Sequence, residues 1–399
     1  MTYDVAAIRS RFPALRAGIA HFDGPGGSQT PDAVAGAVAG AMTSPLANRG
    51  TVTSGERAAD AITRGARAAM ADLLGADPRG VVFGRSMTAL TFDLARTLAA
   101  TWEPGDEVVV TRLDHDANIR PWVIAAEAAG VTVRWLDFDP DSTELEDVTP
   151  LLSDRTRLVA VTGASNLVGT RPDVAAIAGA AHDAGALLMV DGVHLTAHEP
   201  VDVAALGADF YACSPYKFLG PHCGVLAADP ALLETLRPAK LLPSSDAVPE
   251  RFELGTLPYE LLAGTTAAVD FLAGLDQGAP GDRRARLRAS LAAVAAHEEP
   301  MRERIEKHLT ALPGVTVRSR AASRTPTLLV TFDDRDPAEA YRFLAERRIA
   351  APASSFYALE CSRRLGLGDT GGLRIGLACY TDDGDVERLL DGLSAFVGA

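Results

Sequence analysis

Cysteine is scarce in this chain of 399 residues: Cys213, Cys223, Cys361 and Cys379 stand singly, with no CxxC pair. That spacing supports neither a zinc site nor a disulfide framework. Positive charge is also short, with 38 lysines and arginines against 52 aspartates and glutamates and a formal net charge of −14. Such a balance argues against nucleic acid or an anionic membrane as partner and favours solubility. Long apolar runs are missing too, so no stretch reads as a membrane-spanning helix. The start Met-Thr-Tyr-Asp lacks a basic segment followed by an apolar one. The expectation is therefore a cytoplasmic protein without a secretory leader. Nor does any fixed spacing recur, which excludes a solenoid of repeats.

What is present suits a soluble enzyme. Hydrophobic residues make up 47% of the chain, ample for a buried core, and the length exceeds what one core usually fills. The middle of the sequence alternates short β-branched runs with alanine-rich stretches. Strands are expected near 81–83, 107–111, 131–135, 158–162, 186–190, 210–212 and 225–227, with helices near 56–74, 88–100, 118–129 and 173–184. This alternation predicts an α/β fold with a mainly parallel sheet covered by helices on both faces. Beyond Gly255-Thr256 the pattern changes. A helix over 259–275, the charged Gly278-Ala-Pro-Gly-Asp-Arg-Arg-Ala-Arg stretch and a long helix over 291–312 precede strands near 315–317, 327–332 and 373–377, with helices over 337–347 and 383–396. The expected division is a large domain, residues 17–258, and a smaller α+β domain made of 1–16 and 259–399.

Two residues carry chemistry. Lys217 lies in Cys213-Ser-Pro-Tyr-Lys-Phe-Leu-Gly220, just past an expected strand, and Asp191 closes the apolar strand Leu187-Leu-Met-Val upstream of it. An amine among aromatic and glycine neighbours has its pKa lowered by desolvation, which makes it a competent imine-forming nucleophile. A carboxylate at the carboxyl end of a buried strand can hold a pyridinium nitrogen protonated, so that the ring accepts electrons. Singly, the lysine reads as a solvated surface residue and the aspartate as a cap or loop anchor. Together, with room between them for one loop, one short helix and one strand, they point to pyridoxal 5'-phosphate in the crevice at the strand ends.

Around this pair, six separated segments follow one order from about Phe22 to the C-terminus. Over that length the sequence resembles the fold-type I pyridoxal-phosphate enzymes of the class V aminotransferase and cysteine desulfurase group, with its nearest likeness to the cysteine desulfurase-like proteins. The resemblance implies a PLP-dependent transferase-like fold and a set of site residues. Arg85-Ser-Met-Thr88 opens a helix where the family has a Gly-Thr-Thr-like turn, which assigns the amide of Met87 and the hydroxyl of Thr88 to the cofactor phosphate. The residues alone allow simple N-capping by Ser86 or Thr88. Ser214 and Tyr216 flank the lysine and are implied as further phosphate donors, tyrosine standing where desulfurases carry histidine. His115 is implied to stack on the pyridine face and relay a proton near Cα; by itself it reads as a structural or capping histidine. Asn166 and His194 are implied beside the phenolic oxygen. Arg374, in Leu373-Arg-Ile-Gly376, is implied as the clamp on a substrate carboxylate, with a pairing to a surface acid equally open from its strand context. The segment Phe22-Asp-Gly-Pro-Gly-Gly-Ser28, with Gly27, is implied at the substrate mouth, or is a plain turn. Thr256 is implied to reach the phosphate of the neighbouring subunit, which makes the active unit a homodimer.

The departures concern sulfur. Where desulfurases keep a mobile loop with a nucleophilic cysteine, this chain reads Ala351-Pro-Ala-Ser-Ser-Phe-Tyr-Ala358, with Phe356 at the nucleophile position. Cys361 follows five residues later, beside Glu360, an acid that dulls a thiol. The expected chemistry is abstraction of the Cα proton of an L-amino acid by Lys217. A cysteine desulfurase-like or C–S lyase-type β-elimination comes first. Transamination, and epimerisation with His115 or Tyr357 as the second acid, share the same start, and a cofactor-binding protein without turnover is the reading from a different class.

Overall fold

In a computed structural model of the chain, which describes residues 3–399, the central apolar runs bury both of their faces. Val109, Val159, Val161, Leu188 and Val190 enter one hydrophobic core, while Val108, Val110, Leu158, Ala160 and Met189 enter another on the opposite side. Strands without a solvent face require helices on both sides of their sheet. The sheet has seven strands in the order Val81–Gly84, Gly224–Ala228, Phe210–Cys213, Leu187–Asp191, Thr156–Thr162, Glu107–Thr111, Thr132–Leu136. Only Gly224–Ala228 runs against the rest, antiparallel to both of its neighbours. The fold is therefore α/β with a mostly parallel sheet, and the carboxyl ends of the parallel strands open on one edge.

Local chemistry sets the helix ends. Ser54–Leu74 begins with a capping box between Thr53 and Glu56 and ends at Gly75 in the left-handed region, φ 66°. The helix Asp32–Thr43 was not among the expected elements, because its Ala-Val-Ala-Gly sequence has little polar contrast to mark a period. It forms against Tyr259–Leu272. Gly264 makes that approach possible: a Cβ there would lie 2.6 Å from Cγ2 of Val38.

A second sheet, antiparallel, has the order Ala353–Ser354, Gly372–Gly376, Thr327–Phe332, Val315–Val317. It shares a core with Ala20 and Phe22 from the N-terminal region, and Ala20–His21 pairs in parallel with Ile349–Ala350. Asp23 is bridged to Gly376. The chain's beginning thus forms one side of the C-terminal unit's edge.

Packing refines one sequence expectation. The long helix starts eight residues earlier than expected, inside the charged stretch: Asp282 caps a continuous helix Arg283–Ala311, and Arg283 and Arg284 reach back to Asp72 and Asp202. Leu262, Val269 and Leu272, and the first half of the long helix through Val294, pack with the large sheet, as do Ile8 and Phe12. Met301, Ile305 and Leu309 belong to the second core, so the chain changes core within that helix, around Pro300. Met1 and Thr2 of the expected 1–16 segment lie outside the described residues. Among the described residues no helix is long and apolar enough to cross a membrane.

Candidate functional site

The carboxyl edge of the large sheet meets the second sheet around a cavity of about 650 Å³. Lys217 ends a short 3-10 turn, Pro215–Lys217, directly after the strand Phe210–Cys213. Its Nζ donates to the carbonyl of Gly26 at 3.0 Å and to that of Pro25, and lies 4.9 Å from the centre of the Tyr216 ring. Burial, helped by the nearby Arg374 guanidinium, brings the ammonium pKa down to about 8. Asp191 is the last residue of its strand and is buried; one carboxylate oxygen accepts from the Val193 amide at 2.9 Å. Burial pushes that carboxyl up to about 6. Both groups line the cavity, as the sequence pair requires.

His115 caps the 3-10 turn Asp116–Asn118, its Nδ1 accepting from the Ala117 amide at 3.0 Å. Burial and then the charge on Lys217 bring it down to about 4, so the ring is neutral at pH 7, and an acceptor Nδ1 places the proton on Nε2. Tyr357 stacks on it with ring centres 5.5 Å apart. Met87 and Thr88 open the helix Met87–Ala99 against the same cavity. Ser86 is the cap, its hydroxyl accepting from the Ala89 amide at 3.1 Å. Gly224 lies so close behind this start that a Cβ there would be 2.5 Å from the Met87 nitrogen. Ser214 and Tyr216 complete that side of the cavity.

The opposite wall comes from the second sheet and the N-terminal segment. Arg374 is buried; Nη2 donates to Asp23 at 2.6 Å and Nη1 to the Asn166 carbonyl at 3.0 Å, while Nε has no partner. The Phe356 ring covers the guanidinium at 3.6 Å. Burial lowers the arginine's pKa, opposed by Asp23. Asn166 donates from Nδ2 to the Phe356 carbonyl at 2.9 Å, and its buried Oδ1 has no donor.

The sequence reading meets the structure unevenly here. Ten of the twelve expected residues, all but Gly27 and Thr256, face one cavity. His194 is there, but its Nε2 lies 2.9 Å from the hydroxyls of both Thr325 and Thr327, which ties it to the second sheet. Gly27 lines an adjoining pocket beside Tyr216 rather than the main cavity. Thr256 is exposed and lines neither. Asp23 escaped notice although it sits in the glycine segment that had been singled out. Asp114, next to His115, escaped as well: it is wholly buried and accepts from Asn118 Nδ2 at 2.7 Å and the Thr162 amide at 3.0 Å, with burial pushing it up to about 8. An acid beside a nominated histidine was the available signal.

The cysteines stand apart from the cavity lining, and all four are buried and free. Cys361 lies in the apolar cluster with Leu113, Phe138 and Leu329, where burial and the nearby Asp114 raise its thiol. Cys223 is pushed up to about 11 by burial.

Pyridoxal phosphate fits these groups. A lysine with a lowered pKa faces the same cavity as a strand-end carboxylate, the first amides of a helix lack intrahelical acceptors, and the orphaned Asn166 Oδ1 and Arg374 Nε mark polar groups awaiting partners.

Comparison with known proteins agrees. Residues 20–389 match the family model for aminotransferase class-V. An uncharacterized protein of Mycobacterium tuberculosis is 33% identical, over 99% of this chain and 100% of its own length. A probable cysteine desulfurase of Pseudomonas aeruginosa is also 33% identical, over 95% of each chain. Among solved structures, the cysteine desulfurase CsdA of Escherichia coli superposes with a TM-score of 0.86 at 28% identity, covering 99% of this chain and 98% of that one.

Proposed function

Since this chain belongs to the aminotransferase class-V family and is a pyridoxal-phosphate-dependent enzyme of that group, we propose that it cleaves a Cβ–sulfur bond of an L-amino acid by elimination. Thiol, pyruvate and ammonium are the products, with one water consumed. The observation that carries this reading is the chemistry of the lining: Lys217 faces Asp191 and Arg374, and no thiol lines the cavity to take the sulfur.

The bound cofactor supplies an electrophilic carbon and a ring that accepts electron density from Cα. The residues do the rest. Asp191 offers its free oxygen to hold a proton at the ring nitrogen. Lys217, brought down to about 8, reaches its neutral form far more readily than an ordinary lysine, so its Nζ takes the Cα proton. Arg374 holds the substrate carboxylate, using the unpartnered Nε and exchanging Asp23 for the substrate. His115 presents a neutral ring with Nε2–H, a donor that closes one face. Met87, Thr88, Ser214 and Tyr216 supply donors to the phosphate.

The reading extends to a homodimer in which Thr256 reaches the partner's phosphate site. Its support is the exposed apolar side chain two residues before it, Leu254 at 59%. Four unpaired cysteines suit a reducing, cytoplasmic compartment. Sedimentation should give a dimer.

The test is incubation of the cofactor-loaded protein with L-cysteine and S-substituted cysteines, following thiol, pyruvate and the intact protein mass. Thiol and pyruvate with unchanged mass are expected. Alanine with sulfur added to the protein would identify a desulfurase. Conversion that depends on a 2-oxo acid would identify an aminotransferase, and deuterium uptake with inversion at Cα an epimerase. No spectral change with any amino acid would leave a binding protein.

A further inference from the structure

Resting on the elimination reading, we propose that the cavity has a second acid-binding position, at Arg120, and that the substrate carries a second carboxylate on its side chain or leaving group. Arg120 opens the helix Arg120–Ala129 and lines the same cavity as Arg374, together with its own partner Asp116. Each arginine is paired with one aspartate on the cavity wall, although the Arg374 side chain is buried and that of Arg120 is 39% exposed. Arg374 is held by Asp23 at 2.6 Å and Arg120 by Asp116 at 3.0 Å, and in both pairs the aspartate side chain is part-open to solvent, 41% and 31% exposed. A carboxylate of that kind can turn to water when a substrate carboxylate takes its place on the cation.

Asp116 is anchored through its backbone, its amide donating to the Tyr357 carbonyl at 2.7 Å, so its side chain can leave Arg120 without moving the loop. The other acid near Arg120 is weakly committed to it. Glu360 stands 3.7 Å away and is already paired with Arg112 at 3.0 Å. A planar cation that faces a substrate cavity with one exchangeable partner is suited to bidentate recognition of a carboxylate. The alternative is an ordinary surface pair four residues apart in sequence, worth little to anything.

Matched compounds that differ by a single charge separate the two. Glutarate and glutaramate, neither of which can react, are titrated calorimetrically into the cofactor-loaded protein. Glutarate should bind about tenfold tighter, the effect of one charged hydrogen-bonded contact. In Arg120→Gln the ratio should fall to about one, while the affinity for glutaramate and the cofactor absorbance stay as in wild type. Arg120→Lys, which keeps the charge and loses the fork, should fall between, and serves if the glutamine variant folds poorly. Asp116→Asn, lacking the competing carboxylate, should bind glutarate more tightly than wild type. A ratio near one in wild type, or a preference that survives in Arg120→Gln, overturns the proposal. In turnover, S-carboxymethyl-L-cysteine should outrun S-carbamidomethyl-L-cysteine by a similar factor. If neither compound yields pyruvate but the binding ratio holds, the elimination reading fails and the second acid site stands. If both react equally, the second site fails alone.

Discussion

The two walls of the cavity are made in different ways. One is the carboxyl edge of a parallel sheet, where Asp191 ends a buried strand and Lys217, His115 and Thr88 follow strands by one turn. The other is assembled from distant pieces: Asp23 from the N-terminal segment, Arg374 from a strand of the second sheet, and a loop in which Phe356 and Tyr357 both have positive φ, 51° and 59°. Regular backbone fixes atoms closely and changes slowly with sequence. Irregular backbone can hold strained side-chain positions where something over-determines them. In the proposed reaction the first wall carries the chemistry and the second selects what enters.

The largest effect should come from the first wall. Lys217→Ala removes both the amine that bonds the cofactor and the base at Cα, so kcat should fall by on the order of 10⁴ and the visible absorbance of the lysine-bound cofactor should disappear. Retained absorbance with unchanged turnover would place the chemistry elsewhere.

A change on the second wall should read differently. Arg374→Lys keeps a charge but loses the fork, and leaves Asp23 with a poorer partner. KM should rise by on the order of 10²-fold with a much smaller change in kcat, as expected when binding common to ground and transition states is lost. If kcat falls as far as for the lysine variant, the two walls do not divide the work.

The same contrast explains what could be read in the sequence. The first wall was legible because its strands bury both faces and show as unbroken apolar runs ending in Asp191 or leading to Lys217. The strands that lead to Asp191 and Lys217 are also neighbours both in sequence and in the sheet. The second wall was not, because the pairs that shape it are far apart: Ala20–His21 joins Ile349–Ala350 through two residues on each side, too short to leave a period. Arg374 was named, yet its partner Asp23 was not, and nothing local predicts an ion pair across 351 positions. His194 was named through the resemblance, but the hydroxyls that occupy Nε2 come from Thr327 of the second sheet and from Thr325 just before that strand. The helix Asp32–Thr43 was lost for want of polar contrast.

A stability measurement sharpens the comparison on the first wall. In the folded, cofactor-free chain the Lys217 amine titrates near 8, against an ordinary value of 10.5. Between those pH values the unfolded chain holds a proton that the folded chain has released, so rising pH favours folding through this group. Below about 8 both states are protonated and the folded chain bears the full cost of a buried charge. Lys217→Met, which has no charge to bury, should therefore exceed wild type in Tm by most below pH 8, and the gap should narrow steadily toward pH 10.5. A gap that is flat or widens with pH would mean that the amine is not desolvated.

The smallest effect should come from Tyr357→Gly. A non-glycine residue in the left-handed region costs about 1–2 kcal/mol, which glycine avoids. The tyrosine side chain is 76% exposed and so gives up little burial, and its stacking on His115 is worth about 0.5–1.5 kcal/mol. The two nearly cancel, so urea denaturation should place the variant within about 1 kcal/mol of wild type. Substrate choice should still change, because the ring that steadies the His115 face is gone while the backbone bond from the Asp116 amide to residue 357 stays. The ratio of kcat/KM for two substrates of different bulk should shift by about threefold or more, the equivalent of some 0.7 kcal/mol. A stability loss above about 2 kcal/mol with an unchanged ratio would show that this strained loop serves the fold, and that the second wall is as structural as the first.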